Sequence, residues 1–310
     1  MCEWEVARCR SVTVALTIAS IPAMFAAALV GGFRIDILSF APLFWLVSLF
    51  GFASLLGRWR SLPRLRDSAE ASALGLAMTL PVLVFSYAAM RPALPLADTS
   101  LIAADRALGF DWVGLIQWID RYPLLAQALA LGYSSFSFQL MFLPILLAAL
   151  GLRVRAFQMI AGYLLVCTIA ISISTFFPAV GAYEGHGLDG RELKHLNAHF
   201  GYFFLESFNA VRSDPHFVLS IGSAAGIITF PSIHAGIAAL CAWAAWPSRL
   251  LRGPFLLLNM LMAASALANG SHYLVDVIAG LAVAATSIMI VARMTRTRAS
   301  EPSTAAPAFA

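Results

Sequence analysis

The sequence predicts an all-α integral membrane protein with about eight transmembrane helices, and three observations predict it. Of its 310 residues 60% are hydrophobic and only 12% charged, with a mean hydropathy of +0.82, far from the makeup of a soluble domain. The apolar residues gather into runs close to the roughly 20 residues that a spanning helix needs. Lys and Arg concentrate on alternate connections between those runs, as the positive-inside rule requires.

Taken in order, the first run covers 12–31. Arg8 and Arg10 precede it and small residues end it, but it is long for a signal peptide and reads as a retained anchor. The second, 37–57, carries Phe40, Phe44, Trp45, Phe50 and Phe52 and no paired charges, so residues 1–66 are expected to be two N-terminal scaffold helices making lipid and packing contacts. The linker Arg58 to Arg66 is a basic juxtamembrane patch, suited to orienting the chain and touching anionic headgroups. A third span, 71–90, ends in Tyr87-Ala88-Ala89-Met90-Arg91-Pro92.

Between Pro92 and Arg121 the acids Asp98, Asp105, Asp111 and Asp120 alternate with Leu, Ile, Phe and Trp. That pattern suits a pair of interfacial helices lying on the bilayer. Residues 122–150 form one long apolar run with Gly132 inside it. Parity demands a single crossing, over 133–150, so Pro123 to Leu131 is expected to be a short interfacial or half-inserted piece. The next span is 156–177. Residues 178–229 then make a long glycine-rich loop, of the kind that forms a lid or a binding surface. Its histidines are His186, His195, His199 and His216. The i, i+4 pair His195 and His199 would suit a metal if helical, but no cysteine or carboxylate cluster accompanies it, and solvated histidines are the default. The final spans are 230–246, 254–269 and 272–292. Residues 299–310, alternating Ala, Pro, Ser and Thr, read as a disordered tail.

If the spans alternate, Arg8, Arg10, Arg58, Arg60, Arg64, Arg66, Arg153, Arg155, Arg249, Arg252, Arg293, Arg296 and Arg298 share one side, thirteen of the 20 Lys and Arg. Both termini are then cytoplasmic, in a membrane of the bacterial inner or plasma type. The net charge of +4 needs no nucleic acid to explain it. Cys2, Cys9, Cys167 and Cys241 show neither disulfide nor metal-ligand spacing.

Two short polar signatures stand apart: Phe230-Pro231-Ser232-Ile233-His234 and Ser271-His272-Tyr273-Leu274-Val275-Asp276. The chain leaves the side of His234, crosses, turns and returns just before His272, so both signatures should meet at the non-cytoplasmic face. Ionisable groups at that depth are costly and mark function. His272 and Asp276, four apart at a helix start, share a face. The carboxylate can accept the Nδ1 proton and leave Nε2 free as nucleophile or base. His234 can protonate a leaving group. Ser232 and the backbone N–H groups at both helix starts suit phosphate oxygens. Arg91 and Arg212 are the candidate cations, and Ser271 and Tyr273 flank the nucleophile as further candidate substrate contacts. The parts serve phosphoryl or phosphodiester transfer with no metal and no cofactor.

Pro231-Ser232-Ile233-His234 and His272-Tyr273-Leu274-Val275-Asp276, with the long loop before the first, resemble the type 2 phosphatidic acid phosphatase (PAP2) superfamily. The resemblance spans about Tyr87 to Arg293 and is nearest to the branch with inositol phosphorylceramide synthase and the sphingomyelin synthases. It implies a six-helix core within a catalytic domain at 67–298, a phosphohistidine on His272, Asp276 as its partner and His234 as the acid. Two family cations are missing: Val84 stands where a lysine precedes the Arg-Pro, and Ser265-Ala266 where Ser-Arg is usual. The expected partners are membrane lipids: a phospholipid or lipid phosphate as substrate and, for a phosphoinositol or phosphocholine headgroup transferase, a lipid hydroxyl as acceptor. The non-catalytic alternatives are a hydrogen-bonded cluster tying helices together and a transporter with a His/Asp proton relay. The latter would place further acids at the bilayer midplane, and the sequence has none there.

Overall fold

The computed structural model describes residues 3–296; Cys2, Arg298 and the tail 299–310 lie outside the described residues. The chain is a helical bundle, with α1 at Glu3–Gly31, α2 at Ala41–Trp59, α3 at Pro63–Met90, α6 at Pro123–Ala149, α7 at Arg153–Phe176, α11 at Ile233–Ala245, α12 at Arg252–Asn269 and α13 at Leu274–Thr295. Two short helices, α4 (Asp98–Ala107) and α5 (Trp112–Asp120), fill the stretch expected to be interfacial. The long loop carries α8 (Ala182–His186), α9 (His199–Tyr202) and α10 (Leu205–Ser213). Strand β1 (Arg34–Ile35) pairs in parallel with β2 (Val218–Leu219), Arg34 opposite Val218, and so joins the α1–α2 connection to that loop.

Local chemistry explains the helix starts. Proline occupies the first position of α3 and of α6, where its missing N–H costs nothing. Asp111 caps α5 by accepting from the Gly114 N–H at 3.0 Å, and Ser232 caps α11 by accepting from the Ala235 N–H at 3.3 Å. Within the bundle α7 is the most enclosed long helix and α2 the least. Polar contacts join helices in the apolar interior: Asn259 of α12 donates to Gln139 Oε1 of α6 at 2.8 Å, the kind of bond that substitutes for hydrophobic attraction between helices in lipid.

The two ends of the bundle differ in chemistry. At one, Arg153 binds both oxygens of Glu3, the nearer at 2.6 Å, and also the buried Asp67, which pairs with Arg66 at 2.6 Å. Arg10 meets Glu70 at 2.6 Å, and Arg8 donates to the Met294 carbonyl at 3.1 Å. The starts of α1, α3 and α7 and the end of α13 therefore meet at a basic end. The starts of α11 and α13 lie at the other.

Three expectations need correction. Among the described residues six helical stretches are long and apolar enough to span, namely α1, Ile37–Trp59, α3, α6, α7 and α13, and the expected spans 230–246 and 254–269 are not among them. By contrast α11, with 13 residues, rises only roughly 20 Å, short of the ~30 Å hydrocarbon core. Second, α6 runs unbroken from Pro123. There is no separate half-inserted piece, and Gly132 marks close packing instead: a Cβ there would sit 2.8 Å from Leu261 Cγ of α12. Third, α3 begins at Pro63, so Arg64 and Arg66 belong to its first turn rather than to a linker.

Candidate active site

The site is built where α12 gives way to α13. After Asn269 the chain turns through Gly270 and Ser271, the latter at φ 58°, a left-handed conformation that persists only where its surroundings enforce it. They do: the Ser271 carbonyl accepts the Ala182 N–H at 2.7 Å and its Oγ accepts the Tyr183 N–H at 3.0 Å. His272 follows, 3% exposed. Its N–H donates to the Ala266 carbonyl at 3.2 Å, and its own carbonyl accepts the Trp112 indole N–H at 3.0 Å.

His272 Nδ1 lies 3.2 Å from Asp276 Oδ2, which also accepts the Tyr273 N–H at 3.0 Å. His272 stands in the turn just before α13 and Asp276 in that helix's first turn, so the four-residue spacing brings the two side chains together. With Nδ1 engaged, Nε2 is the imidazole nitrogen left for chemistry. The second histidine is brought in by backbone. The Ser232 N–H donates to the Asp276 carbonyl at 2.9 Å, pinning the start of α11 against α13. Gly280 permits the approach, since a Cβ there would collide with the Ser232 carbonyl. His234 then sits with its ring centroid 6.4 Å from that of His272. Tyr133 stacks on His234 at 4.2 Å and Phe136 flanks it at 4.4 Å, both from α6.

Both imidazoles line a cavity of about 260 Å³ together with Tyr133, Phe136, Phe200 and Thr229. The other expected contacts lie elsewhere. Arg91 spends its guanidinium on backbone carbonyls of Gly31 (3.0 Å), Val211 (2.8 Å), Asp214 (2.6 Å) and Pro215 (3.4 Å), clamping the ends of α1, α3 and α10. Arg212 donates to the Leu94 carbonyl at 2.8 Å and lies over the Phe208 ring. Neither lines the cavity, and burial pulls the Arg212 pKa below its ordinary value. Ser232 and Ser271 are consumed as a cap and as a loop anchor. Tyr273 O–H is turned away to Asp98 Oδ1 at 2.9 Å and the Gly181 carbonyl at 3.2 Å.

Backbone donors at the start of α13 are also taken, by a residue that sequence reading passed over. Asp105 accepts the N–H groups of Leu274 and Val275 at 2.9 Å each, placing a carboxylate on the positive end of α13. Asp98, seven residues earlier on α4, accepts from Val180 at 3.1 Å and Gly181 at 3.0 Å. The available signal was two acids on one face of a short helix in an apolar chain. Tyr133, Phe136 and Trp112 gave none.

The loop is tied down from the same side. Asp120, at the end of α5, accepts three successive N–H groups, from Lys194 (2.8 Å), His195 (2.7 Å) and Leu196 (2.8 Å). Burial alone would raise its pKa, but these donors outweigh it and hold the carboxyl below its ordinary value. The stretch from His195 to Ala198 is not helical, so His195 and His199 do not share a helix face as the metal reading needs. Among the described residues no group of three or more His, Cys, Asp or Glu is placed to hold a metal ion.

The family model described as the PAP2 superfamily matches residues 99–290, a span that takes in Asp105, Tyr133, His234, His272 and Asp276. No curated protein and no solved structure matches the chain.

Proposed function

Because the chain belongs to the PAP2 superfamily, we propose that it is a membrane-embedded lipid phosphatase or phosphotransferase that works through a phosphohistidine on His272. The observation that carries this reading is the pairing of two imidazoles 6.4 Å apart with a carboxylate on the Nδ1 of one of them. That gap admits one phosphoryl group at near-attack distances of about 3–3.5 Å. In the first step His272 Nε2 bonds to phosphorus while the bond from phosphorus to the lipid oxygen breaks. Asp276 accepts the Nδ1 hydrogen bond and offsets the positive charge growing on the ring. His234 gives its proton to the departing oxygen. In the second step water or a lipid hydroxyl surrenders a proton to His234 as its oxygen bonds phosphorus, and the phosphorus–nitrogen bond breaks. Tyr133 and Phe136, packed on His234, fix its ring.

A second reading, transfer of a phosphodiester headgroup such as phosphoinositol or phosphocholine to a lipid hydroxyl, is favoured by one observation. Among the described residues no Lys or Arg lines the cavity, and a phosphodiester brings less negative charge to neutralise than a phosphomonoester. The active site faces away from the cytoplasm, opposite the basic end of the bundle. Purified protein supplied with labelled phosphatidic acid, phosphatidylinositol or phosphatidylcholine, each with a ceramide or diacylglycerol acceptor, should release phosphate or form a new lipid in the presence of EDTA. A protein that does neither with any of them, or whose His272→Ala variant remains active, overturns the proposal.

A further inference from the structure

The catalytic cavity adjoins a second one, with which it shares three lining residues. Deeper in the bundle a cavity of about 240 Å³ lies between Ser72, Gly75 and Leu76 of α3, Leu140 and Met141 of α6 and Ile160 of α7. Thr79, Phe136 and Tyr163 line both. The gap opens to the outside of the bundle, since Thr79 and Ser137 on its lips are exposed on helices long and apolar enough to span. It closes at the basic end, where Ser68 Oγ reaches the Ile145 carbonyl at 3.4 Å. A bundle interior normally fills such space with side chains; here a glycine and small hydroxyl residues on α3 leave it open. From Ser72 to Ser86 the gap follows fourteen residues of α3, roughly 20 Å at 1.5 Å per residue, enough to cover one leaflet of a hydrocarbon core ~30 Å thick.

Resting on the lipid phosphotransfer reading, we infer that the gap between α3 and α6 is a binding groove for one hydrocarbon chain of the lipid whose phosphorus is presented to His272. The chain enters sideways between Thr79 and Ser137 and lies against Ile160 and Tyr163, with the headgroup at the histidines. Its recognition is apolar burial, which a bilayer surface already supplies in part, so the groove selects chain length and position more than it adds affinity.

Labelling without turnover tests the groove independently of catalysis. The full chain carrying His272→Ala is placed in phosphatidylcholine nanodiscs with phosphatidic acid or phosphatidylcholine bearing a photoreactive diazirine at mid-chain. Cross-links should fall on residues 72–79 and 136–141 and drop at least about tenfold on adding Gly75→Leu or Ser137→Trp. At Gly75 a new Cβ would meet the end of the Ile160 side chain at 2.9 Å, while Ser137 is exposed and the gentler change. Labels spread evenly over lipid-facing helices such as α2, cross-links to a second copy of the chain, or labels indifferent to both variants would overturn the groove. In the active chain, the ratio of dioleoyl to dihexanoyl phosphatidic acid turned over should fall at least about tenfold in each variant; an unchanged ratio also counts against it. Groove labelling with no turnover of any lipid would uphold the groove while removing the phosphotransfer reading.

Discussion

His272 carries the argument at the residue scale. Its Nδ1 faces Asp276 at 3.2 Å, so replacing the carboxylate frees the wrong tautomer, while replacing the imidazole removes the proposed nucleophile. His272→Ala and Asp276→Ala should each lower turnover by at least about a thousandfold, with the variants still eluting as folded protein from size exclusion in detergent. Turnover within tenfold of the parent in either would count against the assignment. That these two residues and His234 would come together was legible because i, i+4 spacing and the parity of crossings are local rules. Arg91 was misread because a guanidinium at a membrane rim looks the same in sequence whether it meets phosphate or, as here, carbonyls contributed by residues more than a hundred positions away. Asp98 and Asp105 stayed hidden for a related reason: their partners, Tyr273 and the first turn of α13, are set by tertiary approach and by no motif.

At the scale of elements, α13 owes its position to another helix. Asp105→Ala leaves the Leu274 and Val275 N–H groups without their acceptor and loosens the turn that aims His272. Turnover should fall about ten- to a hundredfold, mainly in kcat, and Asp105→Asn, which keeps an acceptor, should recover part of it. A loss confined to KM would indicate that the acid touches substrate instead. The loop held by Asp120 has its own pH signature. Its folded pKa lies below the ordinary carboxylate value of 3.8, so the stabilisation is fully present above that value and is lost as pH falls through the lowered pKa. Hydrogen-exchange protection factors of residues 188–200, with the intrinsic pH dependence of exchange divided out, should be high and flat from about pH 5 to 8 and fall below pH 4, while Asp120→Ala should be weakly protected throughout. The unbroken α6 was one element that sequence misjudged. Gly132 reads as a break in isolation but is spent on contact with Leu261, a partner that periodicity does not reveal.

Over the whole molecule the charges sort by end. Arg8, Arg10, Arg66 and Arg153 are gathered with Glu3, Asp67 and Glu70, while the histidines occupy the far end of α13. Composition and the spacing of arginines made this polarity readable, because topology is written in charge. In intact cells an impermeant maleimide should label Lys194→Cys, and should label Ser248→Cys only after permeabilisation. The reverse pattern would turn the proposed orientation over.

The amide of Ser232 bonded to the carbonyl of Asp276 has a genetic corollary. Because the link between the two histidine-bearing helices is made of main chain, codon changes at position 232 that keep a small residue should survive selection, and proline, which has no N–H to give, should not. The burden of constancy passes to Gly280, whose bare backbone makes room for that link. A saturation library scored for growth on the enzyme's activity would therefore find position 280 locked to glycine and position 232 open to small residues other than proline.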